Sequence, residues 1–149
     1  MNVSRSRAGV LRGMHWHRTQ TDVWHVVFGD ILVQLSDQRP QSATRGETAS
    51  LVLSAAEPSV LMIRPGIVHG FLARGCPRTL IDMSSLCYLV DSAYSTANPD
   101  EYGVRWDDSV LGLEWPDGLN PTLSKRDAEA PPLCEYESRE FAPPEDDIE

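Results

Sequence analysis

The 149-residue chain predicts an all-β fold, a small jelly-roll β-barrel with short helical and loop elements at its C-terminal end. Three observations carry that expectation. Short runs rich in β-branched and aromatic residues recur as far as Val90. The 10 Gly and 11 Pro residues fall between those runs instead of gathering in one linker. No long helical periodicity intervenes, so the strands must close on themselves or pack as two sheets to hide their edges.

The elements follow in order. Residues 23–28 (VWHVVF) and 31–35 (ILVQL) flank Gly29-Asp30, a two-residue Gly-containing turn that reads as a hairpin. Further strands are expected at 50–53, 60–63, 69–73, 79–83 and 86–90, separated by Glu57-Pro58, Arg64-Pro65-Gly66 and Gly75-Cys76-Pro77. Beyond Tyr94, Trp106-Asp107-Asp108 and Glu114-Trp115-Pro116 read as ordered loops and turns packing on the barrel. Residues 1–134 are expected to form one domain, and the acidic, Pro-containing residues 135–149 a disordered tail.

Charge is unevenly placed within the net −9. Residues 1–45 carry six Arg against three Asp, whereas residues 98–149 carry fifteen acids against four bases. Arg5, Arg7, Arg12 and Arg18 can meet a small anion, but the molecule as a whole repels polyanions and nucleic acid is not an expected partner. No apolar run approaches the ~20 residues needed to cross a bilayer, and no signal-peptide core follows the N-terminus, so a cytoplasmic location and no membrane partner are expected. Cys76, Cys87 and Cys134 lack a paired spacing and read as buried free thiols.

Two motifs carry chemistry. Gly9-Val10-Leu11-Arg12-Gly13-Met14-His15-Trp16-His17, followed by Asp22 and Gly29, resembles the first cupin motif. Pro65-Gly66-Ile67-Val68-His69 resembles the core of the second, in which a tight turn aims the His of the next strand into the barrel. Together they imply a cupin-like cavity containing Arg12, His15 and His69. His15 and His17, two apart on a strand, face one side. With Asp22 and His69 they are a reasonable ligand set for a divalent transition metal. An acid–base site using the same histidines is equally open on this spacing.

With later segments added, the chain resembles the dTDP-4-dehydrorhamnose 3,5-epimerase family, cupin-fold enzymes that work without a metal. The matching blocks are Asn2-x-Ser4-x-Ser6, residues 9–15 (GVLRGMH), 65–71 (PGIVHGF), 101–108 (EYGVRWDD), 111–116 (LGLEWP) and 123–127 (LSKRD), in the family's order. The resemblance implies an isomerase acting on a nucleotide-linked 4-keto-6-deoxy sugar, without a cofactor and as a homodimer. It implies His15 as catalytic base, Asp127 as its carboxylate partner and Tyr88 as the tyrosine facing it across the sugar. Tyr94 matches the aromatic that stacks on thymine, and Asn2, Arg12, His69, Glu101 and Arg126 match substrate-contacting positions. Removing a proton beside a ketone calls for such a base, oriented by a carboxylate, with a donor on the opposite face.

The chain departs from the family in two places. Members commonly supply a Lys in the strand after the His motif, where this chain has Asp22. A carboxylate there opposes the enolate formed in the reaction unless it is neutralised. Either His25 or Arg12 compensates, or the substrate differs, or Asp22 completes a metal site with His15, His17 and His69. Members also carry a segment before the Asn-x-Ser stretch, whereas Met1 stands immediately before it here, which implies either a truncated chain or an internal start. The alternatives are therefore a metal-binding cupin, oxygenase or isomerase, and a sugar-nucleotide binder without turnover.

Overall fold

The computed structural model describes residues 1–79, 81–92 and 100–142. Two antiparallel sheets face one another. The first has the order β1 (Asn2–Arg7), β8 (Met83–Val90), β3 (Asp22–Phe28), β6 (Leu61–Ile63). The second has the order β5 (Thr48–Ser54), β4 (Asp30–Asp37), β7 (Ile67–Gly75), β2 (Leu11–Trp16), β9 (Tyr102–Gly103). This is the expected all-β jelly roll, built as two packed sheets.

Period-two alternation sorts side chains between two cores. Between the sheets lie Trp24, Val26, Ile31, Val33, Phe71 and Leu86, with Leu53, Ile63 and Ala73. Outside the second sheet, Met14, Trp16 and Val68 meet Val104, Leu111, Leu133 and Phe141 from the C-terminal segment. Strand β7 is covered on both faces, which is why it reads as a nearly unbroken apolar run.

Several expectations are corrected. Gly29-Asp30 does not make a hairpin: β3 pairs with β8 and β6, while β4 pairs with β5 and β7, so the chain crosses from one sheet to the other at that point. Gly29 adopts φ +70°, and a Cβ there would stand 2.5 Å from the Met83 carbonyl oxygen and 2.7 Å from that of Gly75. The crossing thus requires glycine for both conformation and space. The strand expected at 79–83 falls partly outside the described residues; Thr79, Ile81 and Asp82 lie in no strand, and Met83 opens β8, which runs unbroken to Val90. Cys76 and Cys87 are free but half-buried, and Cys134 is exposed. The acidic C-terminal stretch is packed through Ala142: Phe141 is buried against Trp16, with ring centroids 4.2 Å apart, and the Tyr136 hydroxyl donates to the Gly103 carbonyl at 2.7 Å.

The long β4–β5 connection is closed by Asp37. Its carboxylate accepts from Arg39 Nε (2.9 Å) and Nη2 (2.6 Å) and from the hydroxyls of Ser42 and Thr44, both at 2.7 Å. The Arg39 hydrogen bond is the largest influence on this group and, against burial, holds the carboxyl far below its ordinary 3.8. A depressed folded-state pKa means that the stabilisation is present above the unfolded value and is lost as the pH falls below it. Asp37→Asn is expected to cost about 1–3 kcal/mol at neutral pH. Urea unfolding of both proteins should show that gap shrinking at about pH 3 and below.

Candidate active site

A cavity of about 810 Å³ opens between the inner faces of the two sheets. The first sheet contributes Asn2, Ser4, Asp22, Trp24, Leu86 and Tyr88 to its wall; the second contributes Arg12, His15, His69 and Phe71.

Strict alternation along β2 would put Arg12 and His15, three residues apart, on opposite faces. The register against β7 shifts between them, from Arg12 opposite Phe71 to His15 opposite His69, and both line the cavity. Gly13 makes the shift possible. Its φ is +127°, and a Cβ there would stand 2.8 Å from Gly70 Cα. The reverse holds too, since a Cβ on Gly70 would meet the Arg12 carbonyl oxygen at 2.8 Å. The glycines at positions 13 and 70 therefore let β2 and β7 approach closely at the site.

His15 is held from both sides. Its Nε2 lies 2.8 Å from Asp127 Oδ1, and its Nδ1 lies 3.4 Å from Glu101 Oε1. Asp127 arrives from the far end of the chain. The backbone of Thr122 hydrogen-bonds Gly9 and Leu11, and Ser124 caps the short helix α1 (Lys125–Ala128) by accepting from the Asp127 N–H at 3.0 Å. Burial raises the Asp127 carboxyl, but the His15 hydrogen bond and charge outweigh it and leave the group below its ordinary value. Glu101 is brought in by β9, where Gly103 pairs with His15. Burial raises Glu101 as well, and the Arg126 hydrogen bond, with the charges of His15 and Arg126, lowers it further. Both acids are therefore carboxylates at neutral pH.

A second cluster, His17, Asp22 and His69, is buried deeper in the same cavity. Nδ1–H of His17 donates to the Asp100 carbonyl, and Nδ1–H of His69 to the Ile67 carbonyl at 3.0 Å. Burial, reinforced by the charge of His17, pushes the His69 ring down to about 4, so it is neutral at pH 7. Asp22 accepts from Gln20 Nε2 at 2.7 Å and from Trp24 Nε1 at 3.0 Å. Of the four residues suggested as a metal set, three come together here; His15 stands apart, paired with Asp127.

Tyr88 projects from β8, across the cavity from β2. Burial, then the negative charges of Glu101 and Asp22, push its phenol up against the opposing pull of Arg12, so it keeps its proton at neutral pH. Arg12 donates through Nε to Ser6 Oγ at 3.0 Å. Asn2 lines the mouth; Arg126 does not line the cavity but pairs with Glu101 at 2.9 Å. His25 takes no part, since its Nδ1 donates to the Ser59 carbonyl and it is absent from the cavity wall. Tyr94 lies outside the described residues.

Trp24, Gln20 and Asp100 are among the site residues that escaped the sequence reading. Trp24 shares the face of Asp22 by alternation, a signal that was available. Gln20 and Asp100 gave none. Asp100 gathers the β2–β3 loop, accepting from the backbone N–H groups of Arg18 (2.7 Å), Thr19 (2.8 Å) and Gln20 (3.0 Å).

The family model described as dTDP-4-dehydrorhamnose 3,5-epimerase matches residues 1–135. Spore coat polysaccharide biosynthesis protein SpsL of Bacillus subtilis is 34% identical over 113 residues, covering 75% of this chain and 71% of that protein. The dTDP-4-dehydrorhamnose 3,5-epimerase of Salmonella typhimurium is 33% identical over 135 residues, covering 89% and 69%. Among solved structures, NovW, a 4-keto-6-deoxy sugar epimerase from the novobiocin biosynthetic gene cluster of Streptomyces spheroides, superposes with a TM-score of 0.81 at 32% identity, covering 95% of this chain and 68% of that one.

Proposed function

The chain belongs to the dTDP-4-dehydrorhamnose 3,5-epimerase family, and from that premise we propose that it epimerises a dTDP-linked 4-keto-6-deoxy sugar at a carbon beside the ketone, in deoxysugar or polysaccharide biosynthesis. The observation that carries the reading is the His15–Asp127 pair at 2.8 Å on the wall of a cavity whose opposite sheet presents the protonated phenol of Tyr88.

Asp127 stands within hydrogen-bond distance of His15 Nε2 at 2.8 Å, whereas Glu101 is 3.4 Å from Nδ1 and is engaged by Arg126, so the closer carboxylate takes the ring proton at Nε2 and Nδ1 carries the lone pair that acts as base. When Nδ1 takes a proton from the sugar, Asp127 stabilises the imidazolium. Tyr88, approaching from the other sheet, returns a proton to the opposite face of the planar enolate, and the carbon is inverted. These acid–base steps call for no metal of their own. Arg12, Asn2 and His69 are suited to hold the substrate's oxygens, and Glu101, fixed by Arg126, closes the wall beside His15.

Incubation with a dTDP-4-keto-6-deoxy sugar in D₂O, followed by NMR, tests the reading. Deuterium is expected beside the ketone; no incorporation into any such substrate would sink it. Tyr88→Phe separates the two half-reactions. Inversion is expected to fall about 10²-fold while deuterium exchange on the original face continues; equal loss of both would remove Tyr88 as the donor. No helix among the described residues is long and apolar enough to cross a membrane. A cytoplasmic homodimer is the setting that goes with this activity, and light scattering of the purified protein checks the assembly.

A further inference from the structure

None of His17, Asp22 and His69 moves a proton in the reaction at His15. Their ligand atoms all lie within 4.8 Å of one another, and all three side chains are buried. Because both Nδ1–H groups donate to backbone carbonyls, the Nε2 lone pairs are the free ends of both rings. They lie 3.9 Å (His17) and 3.8 Å (His69) from the two oxygens of Asp22. Two lone pairs and a carboxylate converging away from water oppose one another unless a proton donor or a cation sits among them. Gln20 meets part of that need, donating to Asp22 Oδ1 at 2.7 Å and to His17 Nε2 at 3.3 Å, and Trp24 donates to Asp22 Oδ2. Neither group hydrogen-bonds His69 Nε2.

We propose that His17, Asp22 and His69 bind one divalent first-row transition metal ion, displacing the Gln20 amide and leaving a coordination position open to the cavity. Two imidazoles and a carboxylate are a common three-ligand set for such ions. Ligand atoms around a trigonal or tetrahedral centre stand roughly 3.3–3.6 Å apart, so small side-chain movements bring these into range. Each ring already has its outer nitrogen tied to a carbonyl, the arrangement that fixes tautomer and orientation in metal-binding histidines.

The ion's role rests on the epimerase reading. An enolate oxygen requires positive charge nearby, and Asp22 places a carboxylate on the cavity wall instead. Among the described residues lining the cavity, Asp22, Asp91, Asp100 and Glu101 bring carboxylates against the single guanidinium of Arg12. A cation held by His17, Asp22 and His69 would supply positive charge as a Lewis acid for the sugar carbonyl. No electron transfer is involved.

Binding is tested on the full chain, stripped with chelator, by calorimetry with Zn²⁺ and by visible absorption with Co²⁺. One equivalent is expected. Asp22→Asn and His69→Gln should each weaken binding about 100-fold, while His15→Ala should leave it within about threefold. If Asp22→Asn fails to fold, His17→Gln and His69→Gln decide. No saturable equivalent, or wild-type affinity in the ligand variants, overturns the site. The role is read separately in the D₂O assay, where one equivalent of metal should raise the exchange rate of stripped protein at least about tenfold. Binding without any effect on exchange overturns that role. Binding with no turnover, metal present or absent, overturns the epimerase reading and leaves the site standing.

Discussion

His15→Ala is expected to lower turnover of the keto sugar by about 10²–10⁴-fold with little change in the apparent affinity for substrate. Among the described residues lining the cavity, His15 is the one histidine with a buried carboxylate within hydrogen-bond distance of its ring. Losing it removes a proton acceptor, whereas contacts to the rest of the nucleotide sugar stay in place, so kcat should carry the loss and KM should not. The substitution also strands Asp127, which is 6% exposed and leans on His15 for its low carboxyl pKa. A drop in melting temperature will therefore accompany the kinetic loss, and rates must be compared below the variant's transition. Deuterium exchange at the wild-type rate in this variant would move the base elsewhere.

Asp127→Asn is expected to cost about 10²–10⁴-fold in kcat through a different route. The carboxylate can only accept, and at 2.8 Å it stands closer to the ring than Glu101 does at 3.4 Å, so it selects the tautomer with hydrogen on Nε2 and leaves the lone pair on Nδ1. An Asn amide nitrogen at the same place donates instead, which favours the other tautomer and points an N–H into the cavity. The ring would remain, correctly placed and unable to take a proton. Asp127→Ala, which imposes no tautomer, should then retain more activity than Asp127→Asn; the opposite order would mean that Asp127 acts through packing alone.

What could be read in the sequence follows the range of the interaction involved. Strands such as β4 and β7 declare themselves through their own side chains, and the two His motifs locate one wall of the cavity. The Gly29 crossing was misread because a positive-φ glycine serves a hairpin and a change of sheet equally well. Only pairing partners tens of residues away distinguish the two. Strand β1, with Ser6 as its sole buried residue, lacks the apolar signal of a strand and forms because β8 offers it an edge. Phe141 was hidden by its acidic surroundings, since composition cannot reveal that Trp16 provides a socket. The nearness of Arg12 and His15 on one face depends on a register shift that alternation argues against. Asp127 was reachable only through resemblance, and the separation of His15 from the His17–Asp22–His69 cluster only through coordinates.

The 112-residue separation between His15 and Asp127 also bears on how the enzyme comes into being. His15 leaves the ribosome 112 residues before its partner. Contacts so distant in the chain form late, because the loop-closure cost is repaid only when the intervening sheets have assembled. On the proposed mechanism, His15 therefore gains its carboxylate partner only in a chain synthesised and folded past Ala128. A nascent, stalled or clipped chain can hold the β2–β7 wall and still be chemically silent, so activity in this protein reports completion of folding.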